Sequence, residues 1–204
     1  MHKYYEKELP EGYIATKTID AKNTKFAIVM NALAIVICIG VVFITYVMIQ
    51  PENIGEQLLD AILSLQYWIF LLSMIGYIIL HELVHGIAYK VLTKQKLTFG
   101  LTWSAAYCGV PHIYTYRKTS LIALLAPFVV FNIVFIGAMF FLKSDMSLMF
   151  CSVLLGLHIG GCVGDLYDTY LLLFQYKNDS TLINDNGPKQ VIYVKQQDQL
   201  FIKE

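Results

Sequence analysis

Residues Ile78–Lys90 read IILHELVHGIAYK. Two histidines and a glutamate, His81, Glu82 and His85, lie inside an otherwise apolar run. On a helix, residues four apart project from one face, one turn apart. That spacing suits two imidazoles on one tetrahedral cation, with Glu82 beside them as a carboxylate that takes a proton from water without ligating. Three ionisable groups in an apolar helix carry a large desolvation cost, which helix packing alone does not offset. The trio therefore marks a metal site, and the expected cofactor is Zn2+, one per chain.

Outward from this stretch the chain stays apolar. Hydrophobic residues make up 57% of the 204, against roughly 45–50% in soluble domains, and the mean hydropathy is +0.57. They cluster in blocks long enough to cross a bilayer, which takes about 20 residues of helix. The expected fold class is an all-α membrane protein with four transmembrane helices, over residues 26–49, 62–92, 120–142 and 147–174. These form a core over 25–176, between a polar N-terminal segment, 1–24, and a small tail, 177–204. The polar start predicts no signal peptide. Pro127 falls inside the third span, where a neighbour must satisfy the carbonyl it frees.

The charge pattern sets an expected orientation. Of the 15 Lys and Arg residues, only Lys143 lies in the loops after spans one and three. Lys3, Lys7, Lys17, Lys22 and Lys25 precede span one; Lys90, Lys94, Lys96, Arg117 and Lys118 flank the middle loop; Lys177, Lys189, Lys195 and Lys203 follow span four. Positive residues concentrate on cytoplasmic loops. A multi-pass protein of the cell membrane with cytoplasmic N- and C-termini and middle loop is expected. The net charge of zero gives no basic surplus for nucleic acid, so the expected partners are the lipid bilayer and a membrane protein or peptide substrate. The four cysteines have no CxxC spacing, which argues against disulfides and thiolate metal sites.

A catalytic zinc needs a third protein ligand. The intramembrane candidates all lie on span four: Asp165, Asp168 and His158. Asp165 matches the histidines in depth. Asp168, a turn further on, suits a hydrogen bond to a ligand histidine or an alternative ligand role. His158 lies shallower on nearly the same face. Gly156, Gly160 and Gly164 form a stripe that would let span four approach another helix closely.

The middle loop alternates apolar with polar or small residues through Thr98, Phe99, Gly100, Leu101 and Thr102, which predicts a short strand able to hold substrate by edge pairing. Asn132, mid-membrane on span three, is a candidate for substrate contact or for a hydrogen bond to another helix. In the tail, Asn186-Gly187 before Val191–Val194 predicts a small β element.

The motifs HELVHG, AAYCGVP, LLAPF, GGCVGDLYD and GPKQVIYV resemble the putative zincin peptidase family of bacterial integral membrane proteins. That family is similar to site-2-type intramembrane zinc metalloproteases. The resemblance implies His81, His85 and Asp165 as metal ligands and Glu82 as the base. Site-2 enzymes carry their Asp in an Asn-Pro-x-x-Asp-Gly setting, whereas this chain has Gly-Asp-Leu-Tyr-Asp. The function expected is a membrane zinc metallopeptidase of the HExxH type. The alternative is a non-catalytic membrane scaffold or assembly factor with a structural or absent metal.

Overall fold

The computed structural model describes residues 4–103 and 105–201. Lys3 and Lys203, counted in the charge pattern, lie outside the described residues. In chain order the elements are β1 (Tyr5–Glu6), β2 (Tyr13–Asp20), α1 (Thr24–Ile49), α2 (Ile54–Ile62), α3 (Leu65–Thr93), β3 (Thr98–Leu101), β4 (Ala106–Gly109), β5 (Tyr114–Tyr116), α4 (Arg117–Met139), α5 (Asp145–Gly161), α6 (Val163–Tyr170), β6 (Leu182–Asp185) and β7 (Lys189–Lys195). Cys162 separates α5 from α6, and a π-helical turn, Leu171–Gln175, ends the fourth helical run.

Four helical stretches are long and apolar enough to cross a membrane: Thr24–Ile49, Leu65–Thr93, Arg117–Met139 and Asp145–Gln175. The apolar side chains of the first three are largely exposed, as at Ile39, Phe43, Leu72 and Ile133, while the fourth is half buried. An exposed apolar surface of this extent suits lipid rather than water. α2 stands apart as a short helix where the sequence predicted only a loop; Glu56 and Asp60 break the apolar run there.

The all-α expectation is corrected by a five-stranded antiparallel sheet, ordered β1-β5-β6-β7-β2. It draws its strands from the N-terminal segment, the middle loop and the tail, so neither chain end is a simple polar extension. β2 pairs with β7 from Tyr13 opposite Lys195 to Asp20 opposite Lys189. The register slips between Ala15 and Lys17, and such a bulge breaks the two-residue period by which a strand is recognised. β3 and β4 form a separate hairpin.

The residues divide into two compact units. One takes in the chain up to Val29, residues 82–127, and the chain from Gly164 onward; the other comprises residues 30–81 and 128–163. The boundary passes between His81 and Glu82, inside α3. In the first unit, Ile19, Ile183, Ile192 and Val194 of the sheet bury themselves against Leu124 of α4 and Leu171 and Leu172. A second cluster joins Tyr89 of α3, Val110 and Ile113 of the loop, and Ala123 of α4. Burying one such aliphatic side chain contributes about 1.5–3 kcal/mol. This second cluster draws the first half of α4 to the motif end of α3.

In the other unit, the glycine stripe meets α1. A Cβ on Gly160 would lie 2.6 Å from the Ala34 carbonyl oxygen, and one on Gly156 would lie 3.0 Å from the Cys38 backbone. Gly164 has no such neighbour. The stripe therefore seats α5 on α1 through Gly156 and Gly160.

Candidate metal centre

α3 is apolar outward and polar inward. Tyr77, His81, His85 and Tyr89, each four residues after the last, are all buried; Ile79, Leu83, Ile87 and Val91 on the other face are all exposed. Right after His85, Gly86 leaves room for the hairpin. A Cβ there would lie 2.8 Å from the Phe99 ring, so β3 rests directly on the motif helix.

Both motif histidines are held through Nδ1. His85 Nδ1 lies 2.8 Å from the Ala123 carbonyl oxygen. A carbonyl only accepts, so Nδ1 carries the proton and Nε2 of the neutral ring is a lone pair. That Nε2 stands 3.3 Å from Asp165 Oδ2. Two lone-pair atoms this close require a positive charge between them or on one of them. A charged imidazole donating to a carboxylate closes to about 2.7–2.9 Å. Two ligands of one tetrahedral zinc, each about 2.0–2.1 Å from the metal, stand about 3.3–3.4 Å apart. The donor set and its spacing thus fit zinc.

His81, one turn before His85 on the same helix, has Nδ1 at 3.0 Å from the Tyr77 hydroxyl. The same hydroxyl lies 3.1 Å from His158 Nδ1. Cys162 Sγ lies 3.6 Å from that His158 nitrogen, and His81, His158 and Cys162 form a second group of metal-ligating types. The Tyr77 hydroxyl sits at hydrogen-bond distance from both imidazoles, which makes this a hydrogen-bonded cluster. The other nitrogen of His158 faces the Phe128 carbonyl at 3.4 Å and the Asn132 amide at 3.3 Å.

Glu82 is half-buried next to His81 in sequence. Asp168 is buried, but among the described residues its Oδ1 has no hydrogen-bond partner, and the expected hydrogen bond to a ligand histidine is not found for His85. Asn132 donates to the Phe128 carbonyl of its own helix at 2.7 Å. Thr98, Phe99, Gly100 and Leu101 form β3, which pairs only with β4 among the described residues. Thr102 falls outside the strand: its N–H donates to Ala105 O at 2.8 Å and its hydroxyl to the same oxygen at 2.9 Å, so it closes the hairpin and offers no free edge.

In an antiparallel pair, bonded and non-bonded positions alternate. With Thr102 bonded to Ala105 and Gly100 opposite Tyr107, Thr98 and Gly100 turn towards β4, while Phe99 and Leu101 turn their N–H and C=O outward.

Sequence reasoning missed Tyr77, Tyr89 and Asp185, and it did not show that the carbonyl freed by Pro127, that of Ala123, meets His85. Tyr89 donates to Asp185 Oδ2 at 2.8 Å, which ties the tail strand β6 to the motif helix. The four-residue spacing of the two tyrosines from the histidines was a readable signal.

A family model described as "Putative zincin peptidase" matches residues 74–181, more than half of the chain, from just before Tyr77 to the start of the tail strands. No curated protein and no solved structure matches the chain.

Proposed function

The chain belongs to the putative zincin peptidase family, and from that premise we propose that it is a membrane-embedded zinc metallopeptidase. The observation that carries the reading is the facing pair His85 Nε2 and Asp165 Oδ2, 3.3 Å apart, with the other His85 nitrogen engaged by a carbonyl. His81, His85 and Asp165 would hold the metal. Zinc bound there would polarise a peptide carbonyl and lower the pKa of a water from 15.7 to about 7. Glu82, beside His81 and without a ligand role, accepts a proton from the attacking water and returns it to the leaving amine. Both ring nitrogens of His158 are already engaged, which supports a site left open for substrate rather than closed by a fourth ligand.

The outward edge of β3, seated on the motif helix at Gly86, suits an extended peptide added as a strand. A membrane helix hides its amides, so a substrate segment must unwind before cleavage. The four apolar helices and the one-sided lysines support a multi-pass protein with cytoplasmic ends.

Metal content and peptidase activity of purified variants test the reading. His85→Ala and Asp165→Ala should each lose stoichiometric zinc. Glu82→Gln should keep zinc and lose about 10²–10⁴-fold in turnover, the usual worth of a general base. Loss of zinc from Glu82→Gln to the same extent as from His85→Ala would make Glu82 a ligand and overturn its assigned role.

A further inference from the structure

A proline inside a helix leaves the carbonyl four residues earlier without its N–H partner. In α4 the proline is Pro127 and the orphaned carbonyl belongs to Ala123. Ala123 has 0% exposure and Pro127 is likewise fully buried, so bulk water does not replace the missing donor. The donor that does is His85 Nδ1–H, at 2.8 Å. The second core cluster brings Ala123 and α3 together, which makes the contact geometrically available.

We propose that Pro127 is a positioning residue for metal ligation. By withholding an N–H from Ala123, it reserves that carbonyl for His85 and holds the imidazole with Nε2 unprotonated and aimed at Asp165. The inference rests on the reading of His85 as a ligand. The family match covers Pro127 without giving it a role. An alanine at this position restores the helix donor, which draws the Ala123 oxygen along the helix axis and competes with the imidazole. His85 is then free to rotate or to carry its proton on Nε2, and both cost metal affinity.

This device has a signature that plain structural damage lacks. Pro127→Ala removes a helix-breaking residue, so the Tm of the metal-free protein should rise, while zinc affinity should fall by about 10–100-fold, as losses of outer hydrogen bonds to metal ligands do. Pro127→Ser, which restores the same N–H with another side chain, should behave alike. Zinc affinity by competition with a chelator, and Tm in the same detergent, are measured for the parent, both variants and His85→Ala. Rising Tm with weakened zinc supports the proposal. Zinc affinity within about twofold of the parent in both Pro127 variants, with His85→Ala losing zinc, overturns it and leaves the metal reading standing. Weakened zinc together with a lower Tm overturns it as damage to the fold. Stoichiometric zinc retained by His85→Ala removes the ligand reading, and the role of Pro127 falls with it.

Discussion

Asp185 carries a buried carboxyl beneath the motif helix. Its Oδ2 accepts from the Tyr89 hydroxyl and its Oδ1 from the Gly187 N–H, both at 2.8 Å. Burial pushes its pKa up to about 6, with these hydrogen bonds acting in the opposite direction. The unfolded value is about 3.9. A folded pKa above the unfolded one favours the protonated carboxyl, so its stabilisation is full below about pH 3.9 and is lost as pH rises through about 6. At about 1.4 kcal/mol per pKa unit, the loss is about 3 kcal/mol. Asp185→Asn has no such titration. The stability of the parent relative to this variant should fall by about 2 kcal/mol between pH 4 and pH 7 in thermal unfolding. A difference that stays constant over the range would mean that the carboxyl ionises as readily in the fold as in the unfolded chain.

At the scale of elements, the hairpin β3–β4 joins the fold to the proposed substrate. Its seat on α3 depends on a missing side chain at Gly86, and its outer edge offers the N–H groups of Phe99 and Leu101. Leu101 is 78% exposed, so a substitution there disturbs little packing. Leu101→Pro removes one outward donor and leaves the bonds to β4 in place. Cleavage of a membrane substrate should fall about tenfold, the effect of roughly 1.4 kcal/mol, with zinc content and Tm unchanged. Thr102→Pro instead breaks the Thr102–Ala105 bond, so it should lower Tm as well. Full cleavage by Leu101→Pro would rule out edge pairing at this strand.

At the scale of the whole molecule, four apolar helices and one-sided lysines imply a definite orientation. His112, in the middle loop, and Leu63, between α2 and α3, are both exposed. An impermeant thiol reagent added to intact cells should label Leu63→Cys and leave His112→Cys unlabelled until the membrane is opened. Labelling of His112→Cys from outside would invert the topology and put the five-stranded sheet on the other face. The sheet also binds both ends of the chain to the middle loop, so each end contributes to the unit that carries Glu82, His85 and Asp165.

Much of this protein is determined by local patterns that a single sequence carries. Apolar blocks of bilayer length made four helices legible, and three ionisable residues at helical spacing inside one of them made the motif legible. Asp165 and Asp168 both stood out because a carboxylate in an apolar helix is costly without a counter-charge, and depth and the family resemblance favoured Asp165. The tertiary structure alone decided the rest. The pairing of β2 with β7 joins residues far apart in the chain, and a bulge hides the strand's period. The glycine stripe shows close approach but not which helix approaches, and that helix is α1. Asp168 and Asp165 have the same side chain three residues apart, yet only Asp165 meets His85, because rotation about the helix axis is fixed by packing. The orientation of His85 depends on a carbonyl, a group every residue possesses. What distinguishes Ala123 is the proline four residues later and the core that brings it to α3.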